Sequence, residues 1–82
     1  MSFGLVFEKI GDINSLYPYI CVYVEGEANP FMEIGVTEDK RLEFSIYIND
    51  KSMALSVEQW GEIERCGKEF LPKAIADKVA SM

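Results

Sequence analysis

Apolar and polar residues alternate through RLEFSIYI, with Leu42, Phe44, Ile46 and Ile48 on one side and Glu43, Ser45 and Tyr47 on the other. That period of two belongs to a strand with one buried face, so residues 41–48 are predicted to be a strand. Just ahead of it Met32, Ile34 and Val36 alternate with Glu33 and Gly35, and Thr-Glu-Asp-Lys-Arg separates the two series. Pairing Val36 with Leu42, Ile34 with Phe44 and Met32 with Ile46 puts all six on one face of an antiparallel hairpin. A slip of one residue would bring Glu43, Ser45 and Tyr47 into the core, which fixes the register.

The same test extends both ways. Ile48 can pair with Met53 and Ile46 with Leu55 across the turn formers Asn49-Asp50-Lys51-Ser52, which predicts a short strand at 53–55. Upstream, YICVYVEG is rich in β-branched and aromatic residues, and pairs of Val24 with Met32, Val22 with Ile34 and Ile20 with Val36 share the same face across EGEANP. The expected sheet is a meander of 18–25, 31–37, 41–48 and 53–55. FGLVFEKI is open to reading as a further strand, and residues 12–17 as a helical turn ended before Pro18.

Ser56-Val-Glu-Gln59 is a capping-box pattern and starts a helix. Val57, Trp60, Ile63, Gly67 and Phe70 recur at three and four as its apolar stripe, so Trp60 is expected in the core, while Glu58, Glu62, Arg65 and Glu69 face outward. Pro72 fits the first turn of a second, shorter helix after a bend near Leu71, with Ile75 and Val79 spaced to dock. The fold class is therefore α+β: one domain, residues 1–82, with an antiparallel meander of about four strands packed on one amphipathic helix and a shorter C-terminal helix. An 82-residue chain with 49% hydrophobic and 12% aromatic residues can supply that core.

Charge adds a functional clue. Between Lys9 and Lys40 there is no cation but six carboxylates, Asp12, Glu25, Glu27, Glu33, Glu38 and Asp39. Residues 1–40 carry seven acids and two bases, and the remainder seven acids and six bases, so nearly all of the net charge of −6 lies in the first half. Such a one-signed field attracts a basic partner and repels nucleic acid and anionic lipid. On the predicted sheet the face opposite the core carries Tyr19, Cys21 and Tyr23, then Phe31, Glu33 and Gly35, then Glu43, Ser45 and Tyr47. Its rows are expected to set Tyr23 beside Glu33 beside Ser45, and Phe31 beside Tyr47. Tyr19, Tyr23, Phe31, Glu33, Glu43 and Tyr47 are the candidate partner-binding residues, tyrosines for contact area and glutamates for a cation. The alternative is that residues 1–17 or the C-terminal helix cover this face as a second small core.

Catalysis finds little support. The chain has no histidine, and Cys21 and Cys66 stand 45 positions apart, so neither a thiol–imidazole pair nor a zinc site can be built, and reduced, buried thiols are expected. Glu25-Gly-Glu27 and Glu38-Asp39 lack the spaced oxygen ligands of a calcium loop and read as turns. The glutamates of the helix read as a solvated face. No enzyme, cofactor or metal is expected, and with no signal peptide or apolar run of about 20 residues a cytoplasmic protein is expected.

Together, FMEIGVTEDKRLEFSIYI and VEQWGEIERCGKEFLPKAI resemble the small acidic immunity proteins that bacteria encode beside polymorphic toxins, including those of contact-dependent growth inhibition. The resemblance covers about 50 residues and lies in size, acidity, a meander with a Trp-bearing helix, and the lack of an active-site motif. It implies a stoichiometric inhibitor whose acidic surface fills the cationic cleft of a toxin, commonly a nuclease. The same surface suits a phage or mobile-element protein that mimics nucleic-acid charge. A third reading is a homodimeric structural or adaptor domain that self-associates through its tyrosine face.

Overall fold

The computed structural model describes residues 4–11, 16–47 and 53–80, which form a four-stranded antiparallel meander with one long helix against it. The strands are β1 (Leu5–Ile10), β2 (Tyr19–Val24), β3 (Met32–Val36) and β4 (Leu42–Ile46), in spatial order β1-β2-β3-β4, and the helix α1 runs Val57–Ala80. The fourth strand is thus the N-terminal one. Residues 53–55 carry no strand, and the Ile48–Met53 pairing and the turn at 12–17 fall at least partly outside the described residues.

The β3–β4 register is the one the alternation dictates: Met32 opposite Ile46, Ile34 opposite Phe44, Val36 opposite Leu42. In the connecting loop Lys40 N–H donates to Thr37 O, and Lys40 takes the left-handed conformation at φ 66°. The β2–β3 register keeps the expected faces but slides by two residues, Ile20 opposite Ile34 and Val22 opposite Met32. Three local features cause the slide. Val24 stays paired with Leu5 of β1, and the chain turns at once, Glu27 N–H donating to Val24 O over Gly26 at φ 90°. Finally, Phe31 N–H donates to Val22 O although Val22 already faces Met32, so two residues of one strand oppose one of the other, as in a β-bulge.

The bulge has a side-chain consequence. Phe31, expected on the outer face, is turned off the alternation and buried in the core with Tyr17, Ile20, Val22, Met32, Ile34, Ile63, Phe70 and Ala74.

The helix begins as its capping box requires: Gln59 N–H donates to Ser56 Oγ at 3.1 Å and Ser56 N–H donates to Gln59 Oε1 at 2.9 Å. Its buried stripe is Gln59, Ile63, Gly67, Phe70 and Ala74. Val57 and Trp60 do not belong to it; Trp60 lies at the stripe's edge, 43% exposed, and Val57 lies beyond it, 86% exposed. Trp60 leans on Phe44, ring centroids 6.1 Å apart, instead of entering the core. Nor is there a second helix among the described residues. An internal proline costs a helix about 3 kcal/mol, yet α1 continues through Pro72 because Phe70, Ala74 and Ile75 on either side of it pack on the core. The Val79 side chain lies outside the described ones.

The two glycines of α1 make opposite predictions. A Cβ on Gly67 would come within 2.8 Å of Leu42 Cδ2 and 3.2 Å of Phe44 Cζ, so this glycine sets how closely helix and β4 approach. Gly67→Leu should therefore destabilise by about 1–3 kcal/mol through overpacking. A Cβ on Gly61 meets nothing within 4 Å. Gly61→Ala should stabilise by about 0.5–1 kcal/mol, since only helix propensity changes there. Denaturant midpoints moving in opposite directions would bear this out; a shared direction would contradict the helix placement.

Candidate protein-binding face

Pleating sends Leu5, Phe7, Ile20, Val22, Val24, Met32, Ile34, Val36, Leu42 and Phe44 toward α1. The opposite face is built from Val6, Glu8 and Ile10 of β1, Tyr19, Cys21 and Tyr23 of β2, Glu33 and Gly35 of β3, and Glu43 and Ser45 of β4, with Tyr47 following. Among the described residues no helix packs there. Neither the N-terminal segment from Gly4 nor α1 seals the tyrosines: the former is a sheet strand and the latter lies on the core side.

The central row crosses all four strands as Glu8, Cys21, Glu33, Ser45. Cys21, not Tyr23, stands beside Glu33, a direct result of the two-residue slide. Tyr23 and Tyr47 instead each reach a glutamate diagonally, within the span that long side chains bridge across strands. Tyr23 Oη donates to Glu8 Oε1 at 2.9 Å, and Tyr47 Oη donates to Glu33 Oε1 at 2.7 Å. The two hydroxyl–carboxylate pairs flank the buried Cys21 thiol. Tyr19 closes the row end opposite Ile10, and Glu43 stands exposed opposite Gly35.

Of the six expected site residues, Tyr19, Tyr23, Glu33, Glu43 and Tyr47 share this face and Phe31 does not. Sequence reasoning missed Glu8. The signal was the alternation of Glu8 with Phe7 and Lys9, obscured because β1 has apolar residues on both faces and Lys9 breaks its inner row. A depression of about 380 Å³ beside the Tyr23–Glu8 pair is lined by Val6, Glu8, Tyr23, Val24, Gly26 and Glu27. Glu25 and Glu27 are exposed at one end of the sheet and Glu38 and Asp39 at the other, the latter accompanied by Lys40 and Arg41.

Burial first, then the charges of Glu33 and Glu8, push the Cys21 thiol up, away from the thiolate a nucleophile needs. The hydrogen bond to Glu33, then burial, push Tyr47 up to about 12. Tyr23 is raised too, chiefly by its bond to Glu8. Among the described residues there is no group of three or more His, Cys, Asp or Glu side chains that could hold a metal ion, and no helix long and apolar enough to cross a membrane.

The tyrosine shift has a sign. Because folding raises the Tyr47 value, its bond to Glu33 contributes fully below the ordinary tyrosine value near 10 and is lost as pH rises toward about 12. A spectrophotometric titration of the folded protein's four tyrosines should show a component above pH 11, and Tyr47→Phe should remove it. A titration complete near pH 10 while the protein stays folded would contradict the Tyr47–Glu33 bond. Comparison of the chain with family models, with curated proteins and with solved structures gives no match.

Proposed function

We propose that this is a non-catalytic, cytoplasmic binding protein that neutralises a basic protein, a toxin of the nuclease kind, by covering its cationic site with the outer face of the sheet. The observation that carries the reading is the arrangement of that face: Glu8, Glu33 and Glu43 stand on it among tyrosines, two of the carboxylates held by tyrosine hydroxyls.

Such an arrangement suits a cationic partner for two reasons. A tyrosine-held carboxylate is oriented before binding, which lowers the ordering cost of pairing it with an incoming lysine or arginine. The tyrosine rings supply contact area with few rotamers to lose. In the depression beside Tyr23, a basic side chain can lay its stem on Val6 and the ring while its head lies between Glu8 and Glu27. Turn carboxylates Glu25, Glu38 and Asp39 add steering. The same charges disfavour nucleic acid, since a phosphate backbone approaching this face meets three glutamates.

The partner to test is the product of the reading frame beside this one. Purified together, the two should form a one-to-one complex whose association slows steeply as salt rises, and co-expression should abolish that product's toxicity. A complex indifferent to salt, or no complex, would overturn the proposal.

A further inference from the structure

We propose that the protein is a two-fold dimer in which β4 pairs antiparallel with β4 of a second copy, and the α1 helices lie side by side across the axis. This surface lies at the sheet edge and on the helix side, so it is independent of the binding role assigned to the outer face and leaves that face open.

The backbone supplies the first half of the argument. β4 ends the sheet order. Tyr47 N–H donates to Phe31 O and Thr37 N–H donates to Arg41 O, so the odd-numbered residues of this hairpin bond across to β3. The N–H and C=O groups of Leu42, Phe44 and Ile46 therefore point away from β3, to a side on which no strand of the described residues pairs, a template for another strand. The opposite edge is guarded, because Lys9 interrupts the inner row of β1. β4 has an uninterrupted inner row of Leu42, Phe44 and Ile46, and Ile46 is 67% exposed.

Self-pairing centred on Phe44 sets no like charges together. With Phe44 opposite Phe44 of the second copy, Leu42 meets Ile46 and Glu43 meets Ser45. Shifting by two residues toward Leu42 sets Glu43 directly against Glu43, which like-charge repulsion opposes.

The helix supplies the second half. Gly67 abuts Leu42 and Phe44, and Trp60 leans on Phe44, so this flank of α1 faces the open edge; Glu58 and Glu62 lie on the other flank, toward Gly4 and Leu5. At 100° per residue the β4 flank carries, in order, Val57, Trp60, Glu64, Lys68, Leu71 and Ile75. Reversed, that series matches itself: Val57 against Ile75, Trp60 against Leu71, Glu64 against Lys68. The flank is neutral although the chain carries −6. α1 lies over β3 and β4, and with strands about 4.8 Å apart a β4–β4 pair sets the two helix axes about 10 Å apart, the spacing of packed helices. The second copy thus covers Val57, Trp60 and Ile46 with their own complements.

Sedimentation equilibrium of the full chain from micromolar to millimolar concentration tests this. The wild type should approach twice 9.3 kDa, and Ile46→Lys should remain at 9.3 kDa with an unchanged circular dichroism spectrum. Lys68→Glu alone, which sets Glu64 against a glutamate of the other copy, should weaken the dimer about tenfold or more. The exchange Glu64→Lys with Lys68→Glu should restore it, which distinguishes this register from any other contact. A wild type that stays at 9.3 kDa throughout would overturn the proposal, as would a dimer indifferent to Ile46→Lys or an exchange that fails to restore what Lys68→Glu loses.

Discussion

Ile63→Ala is expected to cost 82-residue folding about 3–5 kcal/mol and bring the protein close to unfolded at room temperature. Ile63 is wholly buried in one cluster with Val22, Met32 and Ile34, all at 1% exposure or less, so the cavity left by truncation is walled by strands that cannot collapse independently. A domain this small has a total stability of about 4–12 kcal/mol, and a single cavity consumes much of it. Trp60→Ala removes a larger side chain but should cost under about 2 kcal/mol, because the ring is 43% exposed and loses chiefly its contact with Phe44. Chemical denaturation at low protein concentration, where dimerisation contributes least, checks both. A Trp60 variant hurt more than the Ile63 variant would reverse the assignment of the helix's buried stripe.

That contrast shows where the sequence was legible. The β3–β4 hairpin was readable because each strand carries a full alternating row, and any one-residue slip buries a glutamate. The capping box was readable because two side chains three apart satisfy each other's backbone amides. Trp60 was misplaced because the stripe at Val57, Trp60 and Ile63 and the stripe at Gln59, Ile63 and Gly67 share Ile63 and differ by only about 60° of rotation at 100° per residue. Hydrophobicity favours the first; the sheet, meeting the helix through Gly67, selects the second. Phe31 left the candidate face because a bulge is set by backbone hydrogen bonds, to which an alternation pattern is blind. The Tyr23–Glu8 and Tyr47–Glu33 pairs were hidden because each is a diagonal contact, the first to β1, whose register was unread, and the second within the β3–β4 hairpin, where direct cross-strand rows do not show it. Glu33 and Glu43, by contrast, were readable on this face from the alternation of β3 and β4.

The second large effect concerns that face. Lysine at both Glu33 and Glu43 should weaken the complex with the basic partner at least about 100-fold, equivalent to about 3 kcal/mol, because each reversal replaces an attraction by a repulsion at the contact. Folding should survive: Glu43 is exposed, and Glu33 is half-buried and accepts a hydrogen bond from the exposed Tyr47. Most of the loss should appear as faster dissociation if the carboxylates are desolvated on binding, and as slower, salt-dependent association if they only steer.

Calorimetric titration of the basic partner with the wild type and with the Glu33→Lys/Glu43→Lys variant, both shown to be folded, tests the central claim most directly. The account predicts tight one-to-one binding by the wild type and a Kd at least about 100-fold weaker for the variant. Equal affinities would place the contact elsewhere and contradict it.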